Sequence, residues 1–359
     1  MTATALVMAG GTGGHIFPGL AVADTLRARG WRVHWLGAPG SMEARLVPPH
    51  GYPFEAVDFG GVRGKGSKTL LALPVRLLRA CLQSAAVIRR VQPDVLVGLG
   101  GYITFPAGLM GKLMGKPLVL HEQNAVAGLA NRLLARIAAQ TFTAFPGALP
   151  HAECVGNPLR DEFTRAPAPG ERFAGRTGPL QLLVVGGSLG AKALNDKVPQ
   201  ALALLPAELR PRVTHQSGEK QLDALRSAYA AVGIEAAILP FIDDMARAYA
   251  EADAVICRAG ATTVSEIAAI GAAALFVPFS HAVDDHQTRN ARYLSDAGAA
   301  WLTAQSELTP QYLAGWLASL TREELARRAA KAKTLQRLGA AERIAAACEA
   351  LAAKKGRKP

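Results

Sequence analysis

Apolar and polar positions along the chain follow two alternating rhythms. One is a short, continuous apolar run: "ALVMA" at 5–9, "DVLVGLG" at 94–100 and "PLVLHEQ" at 117–123. Runs of this length without polar alternation suit strands buried on both faces of a parallel sheet. The other has helical spacing, as in "PGLAVADTLRARG" at 18–30, and it separates the opening run from the strand-like "RVHWLG" at 32–37. The second half repeats the design. "LQLLVVGGSLGAKALN" at 180–195 reads as strand, glycine-rich turn and helix, and "RVTHQSG", "AAILPFI", "AVICRAGATT" and "ALFVPF" continue the series. Strands that alternate with helices predict doubly wound α/β domains, here two of them. Between them lies "VGNPLRDEFTRAPAPGERFAGRTGP" at 155–179, where Pro and Gly are dense and no apolar period survives. The expected division is 1–157 and 158–340, with a last helix and a basic tail at 341–359. The Ala-, Arg- and Leu-rich region from about Pro310 onward reads as the last helix.

Composition narrows the class. With 359 residues, 50% hydrophobic and 19% charged, the chain has material for two packed cores. No apolar run approaches the roughly 20 residues of a membrane span, and 70–88 is interrupted by Pro74, Arg76 and Arg79. The start shows no basic region or cleavage pattern of a signal peptide. Cys81, Cys154, Cys257 and Cys348 are scattered without a CxxC pair, which fits a reduced compartment and argues against zinc. The formal charge is +12, of which Lys354, Lys355, Arg357 and Lys358 in the tail carry a third. Such an excess favours anionic partners. Aromatic residues are few at 6%, and no helix-turn-helix or RNA-binding signature is present, so nucleic acid is not the expected partner.

The candidate chemistry sits in glycine-rich turns. "GGTGGHIFPG" at 10–19 follows the first strand, "GGSLGA" follows the first strand of the second half, and "CRAGATTVSE" at 257–266 joins another strand to a helix. Each exposes amide groups at a helix N-terminus, where anions bind. A dinucleotide fold is the obvious rival. The first turn lacks the third glycine of GxGxxG, however, and the second strand ends at Gly37 where a ribose-binding acid would stand. Tight strand-to-helix packing explains one such turn but not three, and not a histidine at position 15.

The ordered set "GGTGGHIFPGLAVA", "HEQNAVAGLAN", "VGNPLR", "VVGGSLGAKALN", "FIDDMARAYAEAD", "CRAGATTVSEIAAIG" and "VPFSHAVDDHQTRNA" resembles the MurG family over nearly the whole chain. That family transfers N-acetylglucosamine from UDP-N-acetylglucosamine to the undecaprenyl-linked muramyl-pentapeptide, lipid I. The resemblance implies a GT-B architecture of two Rossmann-like domains facing across a deep cleft, with a last helix crossing back. It also implies a peripheral position on the cytoplasmic face of the bacterial membrane. By the same resemblance Ser188 would bond a phosphate oxygen, and the backbone of Ile242 would meet the uracil. Glu266 would accept from both ribose hydroxyls. Backbone N–H groups from Ala261 through Thr262 and Thr263 to Val264 would face the diphosphate, with Ser265 beside them. Gln287 would read a sugar hydroxyl. Thr12, Gly13, Gly14 and Asn124 would close on the donor sugar, and Arg160 would complete the nucleotide site. Leu189 departs from the family, in which many members carry Gln.

An α-linked donor and a β-linked product require inversion, hence a base for the acceptor hydroxyl. His15 is the first choice, because a small shift brings an imidazole into the range of a base at neutral pH. The alternative is a helix cap or a phosphate contact. Glu122 is the second choice, against a buried structural carboxylate; His121 reads as structural. Glu266 could instead pair with Arg258. No Asp-x-Asp triplet occurs, since 243–244 and 284–285 are adjacent pairs, so no metal and no cofactor are expected. The stretch from Phe59 to Pro93 carries Arg63, Lys65, Lys68, Arg76, Arg79, Arg89 and Arg90, no acid, and interleaved leucines. It reads either as a helix packed on the sheet or as a surface for anionic lipid. The rival activities are a UDP-N-acetylglucosamine 2-epimerase of the same architecture and a non-catalytic membrane-associated binding protein.

Overall fold

The computed structural model describes residues 2–61, 72–187, 190–280 and 285–355. The chain divides into two compact units, residues 1–160 with 338–359, and residues 161–337. Each is a Rossmann-like α/β unit around one parallel sheet.

In the first unit the strands are β1 (Thr4–Ala9), β2 (Arg32–Gly37), β3 (Phe54–Ala56), β4 (Val95–Gly100), β5 (Leu118–Glu122), β6 (Gln140–Thr143) and β7 (Glu153–Cys154). Their order is β3-β2-β1-β4-β5-β6-β7. The strand order therefore reverses between β1 and β4, where open parallel sheets place their ligands. Every residue of β1 is buried, and the side chains alternate between two cores. Ala5, Val7 and Ala9 join α1 (Gly13–Ala28) and the C-terminal helix on one face. Leu6 and Met8 join α2 (Leu73–Val91), α3 (Thr104–Leu113) and α4 (Leu129–Leu134) on the other.

The second unit contains β8 (Gln181–Val185), β9 (Arg212–Gln216), β10 (Ala237–Leu239), β11 (Ala254–Cys257), β12 (Ala274–Phe276) and β13 (Trp301–Leu302). Their order, β10-β9-β8-β11-β12-β13, repeats the pattern of the first unit, with its reversal between β8 and β11. The helices used below are α5 (Lys192–Ala203), α6 (Met245–Glu251), α7 (Ala261–Ile270) and α8 (His286–Ser295).

The region beyond Pro310 is three helices, not the one that its composition suggests: α9 (Pro310–Ser319), α10 (Arg322–Thr334) and α11 (Ala340–Lys355). Leu320 leaves the helical region at ψ 131°, and the Thr321 hydroxyl caps the next helix by accepting from the Glu324 amide at 3.2 Å. Threonine offers its oxygen to the backbone most effectively at such a start. The last break runs from Leu335 to Gly339, which ends it at φ 79°. Helix α11 then packs on α1 through Ala341, Ile344, Ala345 and Cys348. Among the described residues no helix is long and apolar enough to cross a membrane.

Candidate active site

In the first unit, β1 delivers the chain to a turn at Gly10 and Gly11 and then to α1. Thr12 is the N-cap residue, its side chain makes no cap bond, and the first turn holds no acid. Thr12 is exposed, and Gly13, Gly14 and His15 are half-buried. The helix supplies no acid of its own to offset its partial positive charge. The buried Glu43 carboxylate stands just before it and accepts from the Gly11 amide at 3.1 Å. His15 does not cap the helix. Its Nδ1 lies 2.8 Å from Oε1 of Gln123, and among the described residues nothing holds its Nε2.

Gln123 follows directly on β5. Its Nε2 lies 3.0 Å from His121 Nδ1, and His121 Nε2 lies 2.9 Å from the carbonyl oxygen of Gly156. His121 has no exposed surface. Burial pushes its pKa down to about 4; the Gly156 carbonyl works against that shift, and the charge of His15 adds to it. The ring is neutral at pH 7.

Glu122 points the other way, as alternation along a strand requires. It is buried, and both of its oxygens are taken. Oε1 accepts from the Asn124 amide at 2.8 Å and from Asn124 Nδ2 at 3.2 Å. Oε2 accepts from the Gly128 amide at 3.2 Å and from Asn131 Nδ2 at 2.9 Å. Four donors on one carboxylate tie down the loop that carries Asn124. Arg160 is exposed, with its guanidinium 5.9 Å above the Phe17 ring of α1.

In the second unit the turn after β8 leads into α5. Ser188 and Leu189 lie outside the described residues. Gly190, at φ 74°, is required by a close approach: a Cβ there would lie 2.1 Å from the Ser217 carbonyl oxygen. The turn after β11 leads into α7. Gly260 caps that helix without a side-chain bond, and the first turn, which carries Ala261, Thr262, Thr263 and Val264, has no acid. The Ser265 hydroxyl donates back to the Ala261 carbonyl at 3.0 Å. Glu266 stands near Tyr249 and Cys257. Burial first, and then the Glu266 charge, push the pKa of both groups up.

Arg258 donates to the carbonyls of Val277 at 3.0 Å and Pro278 at 3.1 Å, and to Gln305 Oε1 at 2.7 Å. Its guanidinium is thereby tied to the segment that follows the neighbouring β12 and to Gln305. The Ile242 side chain is buried, which fixes the loop before α6. In the pair at 243–244, Asp244 is a helix cap that accepts from the Arg247 amide at 2.9 Å. Gln287 Oε1 accepts from the Phe279 amide at 2.9 Å. Asp284 lies outside the described residues. Among those described, no group of three acidic, histidine or cysteine side chains is placed to hold a metal.

The first unit matches the glycosyltransferase family 28 N-terminal domain over residues 5–143, and residues 181–345 match the C-terminal domain of the same family. A transferase of Paracidovorax citrulli is 68% identical over 98% of this chain and 99% of its own length. Its name is UDP-N-acetylglucosamine–N-acetylmuramyl-(pentapeptide) pyrophosphoryl-undecaprenol N-acetylglucosamine transferase. The chain belongs to the MurG family. The crystal structure of Acinetobacter baumannii MurG is 40% identical, with a TM-score of 0.85 over 97% of this chain and 99% of that one. A UDP-glucosyltransferase of Polygonum tinctorium, 12% identical with a TM-score of 0.71 over 100% of this chain and 99% of that one, shares the fold alone. The GT-B architecture and the identity of the chain as an enzyme, a hexosyltransferase, follow from MurG membership. The matched relatives are named as transferases, so the epimerase alternative is not favoured.

Sequence reasoning missed Gln123. The signal was present: His121 and Gln123 are two residues apart on a strand period, which places both on one side, toward His15. It also missed Asn131, which meets Glu122 from α4, nine residues away in sequence.

Proposed function

We propose that this protein transfers N-acetylglucosamine from UDP-N-acetylglucosamine to the C4 hydroxyl of the muramyl sugar of lipid I, with inversion and with His15 as the base. His15 Nε2 takes the hydroxyl proton. The oxygen attacks the anomeric carbon from the side opposite the diphosphate, and the C–O bond to UDP breaks with its electron pair on phosphate. The observation that carries this reading is the imidazole of His15, held through Nδ1 at an uncapped helix start where the sheet order reverses. Glu122 is read as a positioning residue for the Asn124 loop, because its four hydrogen bonds leave no oxygen for a substrate proton.

In this reading residues 1–157 serve the acceptor and 158–340 the donor. The start of α7, with Ala261, Thr262, Thr263, Val264 and Ser265, stabilises the leaving diphosphate. Ser188 in the turn before α5 and Arg160 assist it. Glu266 takes the ribose hydroxyls as an acceptor-only group. Ile242 meets the uracil through its backbone, and Gln287 and Asn124 read the sugar. Thr12, Gly13 and Gly14 close on the donor sugar. No metal is assigned a role.

The reading extends to an anionic membrane surface on the cytoplasmic face, where lipid I would be met. On α2 the inward side chains Ala80, Ser84, Ala85, Val87 and Ile88 are buried, which accounts for the packing half of the pattern. The outward row is apolar and open: Val75 is 71%, Leu78 62% and Leu82 64% exposed, and Leu113 on the neighbouring α3 is 70% exposed. Arg79 and Arg89 are exposed on the same helix, whereas Arg90 is tied to Glu55. Arg63, Lys65 and Lys68 lie outside the described residues. An apolar row flanked by cations suits a lipid surface with negative headgroups.

The test is release of UDP from UDP-N-acetylglucosamine with a short-chain lipid I analogue. Release that depends on the acceptor supports the transferase, and epimerisation of the donor without acceptor overturns it. Leu78→Glu with Arg79→Glu should reduce co-sedimentation with anionic vesicles while leaving turnover on a soluble acceptor intact. Wild-type sedimentation of that variant would remove the membrane assignment.

A further inference from the structure

Three segments of the first unit converge on one chain of four polar groups: His15 of α1, His121 within β5 and Gln123 directly after it, and the carbonyl of Gly156. The direction of each hydrogen bond in it follows from its fixed end. The Gly156 oxygen only accepts, so His121 Nε2, 2.9 Å away, carries a proton. His121 is fully buried, and a second proton would place an imidazolium in a low-dielectric interior. Its Nδ1 is therefore bare and accepts from Gln123 Nε2 at 3.0 Å. The same Nε2 also donates toward the His121 carbonyl at 3.3 Å. A planar amide then presents Oε1 on its other side, 2.8 Å from His15 Nδ1. An amide oxygen only accepts, so the proton of His15 sits on Nδ1. The reversed amide would flank His121 with two acceptors and require the buried cation.

The seat for this ring is cut to its size. Gly100 has φ 101°, and a Cβ there would lie 2.9 Å from both Nδ1 and Cε1 of His15. Only glycine takes that backbone conformation readily and leaves that space.

We propose that the pair Gln123 and His121 sets the tautomer of His15, keeping its proton on Nδ1 and leaving Nε2 as the nitrogen that receives the acceptor's hydroxyl proton. The assignment of that proton rests on the transferase reading above; the tautomer itself does not. A histidine side chain in water favours the opposite form, with the proton on Nε2, which cannot act as a base there. Gln123 touches His15, His121 acts through Gln123, and both are positioning residues. During transfer His15 becomes the imidazolium, with Nδ1–H still on Gln123 Oε1, and returns the Nε2 proton to solvent after UDP has left.

The experiment is a long-range proton–nitrogen correlation spectrum of the full chain labelled in its histidines, with signals assigned by His15→Ala and His121→Phe. The expected result is Nδ1–H for His15 and Nε2–H for His121 in the wild type at neutral pH. Finding His15 as Nε2–H overturns the proposal, and no substrate is needed to see it. Gln123→Leu should shift His15 toward Nε2–H and lower kcat at least tenfold, with the donor KM within about twofold. Gln123→Glu keeps an acceptor facing His15 Nδ1 but removes the donor to His121 Nδ1. It should therefore retain the Nδ1–H form of His15 while lowering the thermal unfolding midpoint; an Nε2–H form of His15 in that variant would overturn the proposal. A rate loss in Gln123→Leu with the tautomer unchanged would reduce the pair to packing. If Gln123→Leu does not fold, the wild-type spectrum still decides. Absence of transferase turnover in a wild type with the expected tautomers would count against the activity and not against the tautomer.

Discussion

Each unit buries one histidine in its sheet, and the two differ in what they lead to. His121 in β5 and His215 in β9 both have no exposed surface. Burial pushes their pKa values down to about 4 and about 3. His215 is closed on both sides, by the Tyr229 hydroxyl at 3.0 Å from Nδ1 and by Asn195 Oδ1 at 3.1 Å from Nε2. Asn195 in turn donates to the Ser217 carbonyl at 3.0 Å and to Gln221 at 3.1 Å. That network ends in the backbone against which Gly190 packs, so it supports a turn. The network of His121 ends in the half-buried ring of His15, so it supports the group proposed as the base. A neutral, buried imidazole is the same device in both cases. Burial and a shifted pKa do not reveal its use; the group at the end of the network does.

The sharpest way to break this comparison is His15→Ala. Loss of a general base should lower kcat by about 10²–10⁴-fold, with UDP affinity unchanged by calorimetry. Near-full turnover would place His15 beside His215 as scaffold. Next comes His215→Leu, which leaves the Tyr229 hydroxyl and Asn195 without their partner. At about 1–3 kcal/mol for each unsatisfied group, its thermal unfolding midpoint should drop by several degrees, while turnover per folded molecule holds. A kinetic defect with unchanged melting would show that the second network also serves chemistry.

The comparison can be sharpened from the donor side. Glu266→Ala should weaken UDP binding by about 1–3 kcal/mol, the value of charge-assisted bonds to hydroxyls, without altering the His15 tautomer. Equal UDP affinity in a folded variant would remove Glu266 from the site. The smallest effect is in acid. Both histidines have folded pKa values below the unfolded 6.5, so the unfolded chain binds more protons as pH falls. Stability should decline from about pH 6.5 downward, by about 1 kcal/mol per histidine between pH 6.5 and 5.5. Denaturant titrations at the two values measure the loss, and His215→Leu should remove its share. An unchanged midpoint would mean that these histidines are protonated in the fold.

Much of the architecture was legible along the chain. Continuous runs such as 5–9, 95–100 and 254–257 are strands buried on both faces, and the glycine-rich turns stand where they lead into helices. The region after Pro310 was misread, because Ala, Arg and Leu suit one helix or three equally well. Only the Thr321 cap and the positive φ of Gly339 divide it. The residue types to which the proposed function assigns the chemistry, a histidine at the first turn and a glutamate at 266, were also visible, because motif spacing is local.

What the sequence by itself determined is therefore the rhythm: which segments are strands, which turns can approach an anion, and which side chains have suitable chemistry. Those follow from periodicity and backbone freedom within a few residues. Only the tertiary structure decided which polar groups meet. His15 and Gln123 are 108 positions apart, Glu122 takes its four donors from a loop and from α4, and Arg258 turns to carbonyls that follow β12. Hydrogen bonds are directional and short-ranged, so a base, a strut and a scaffold histidine become distinguishable only when segments distant in sequence are brought within 3 Å.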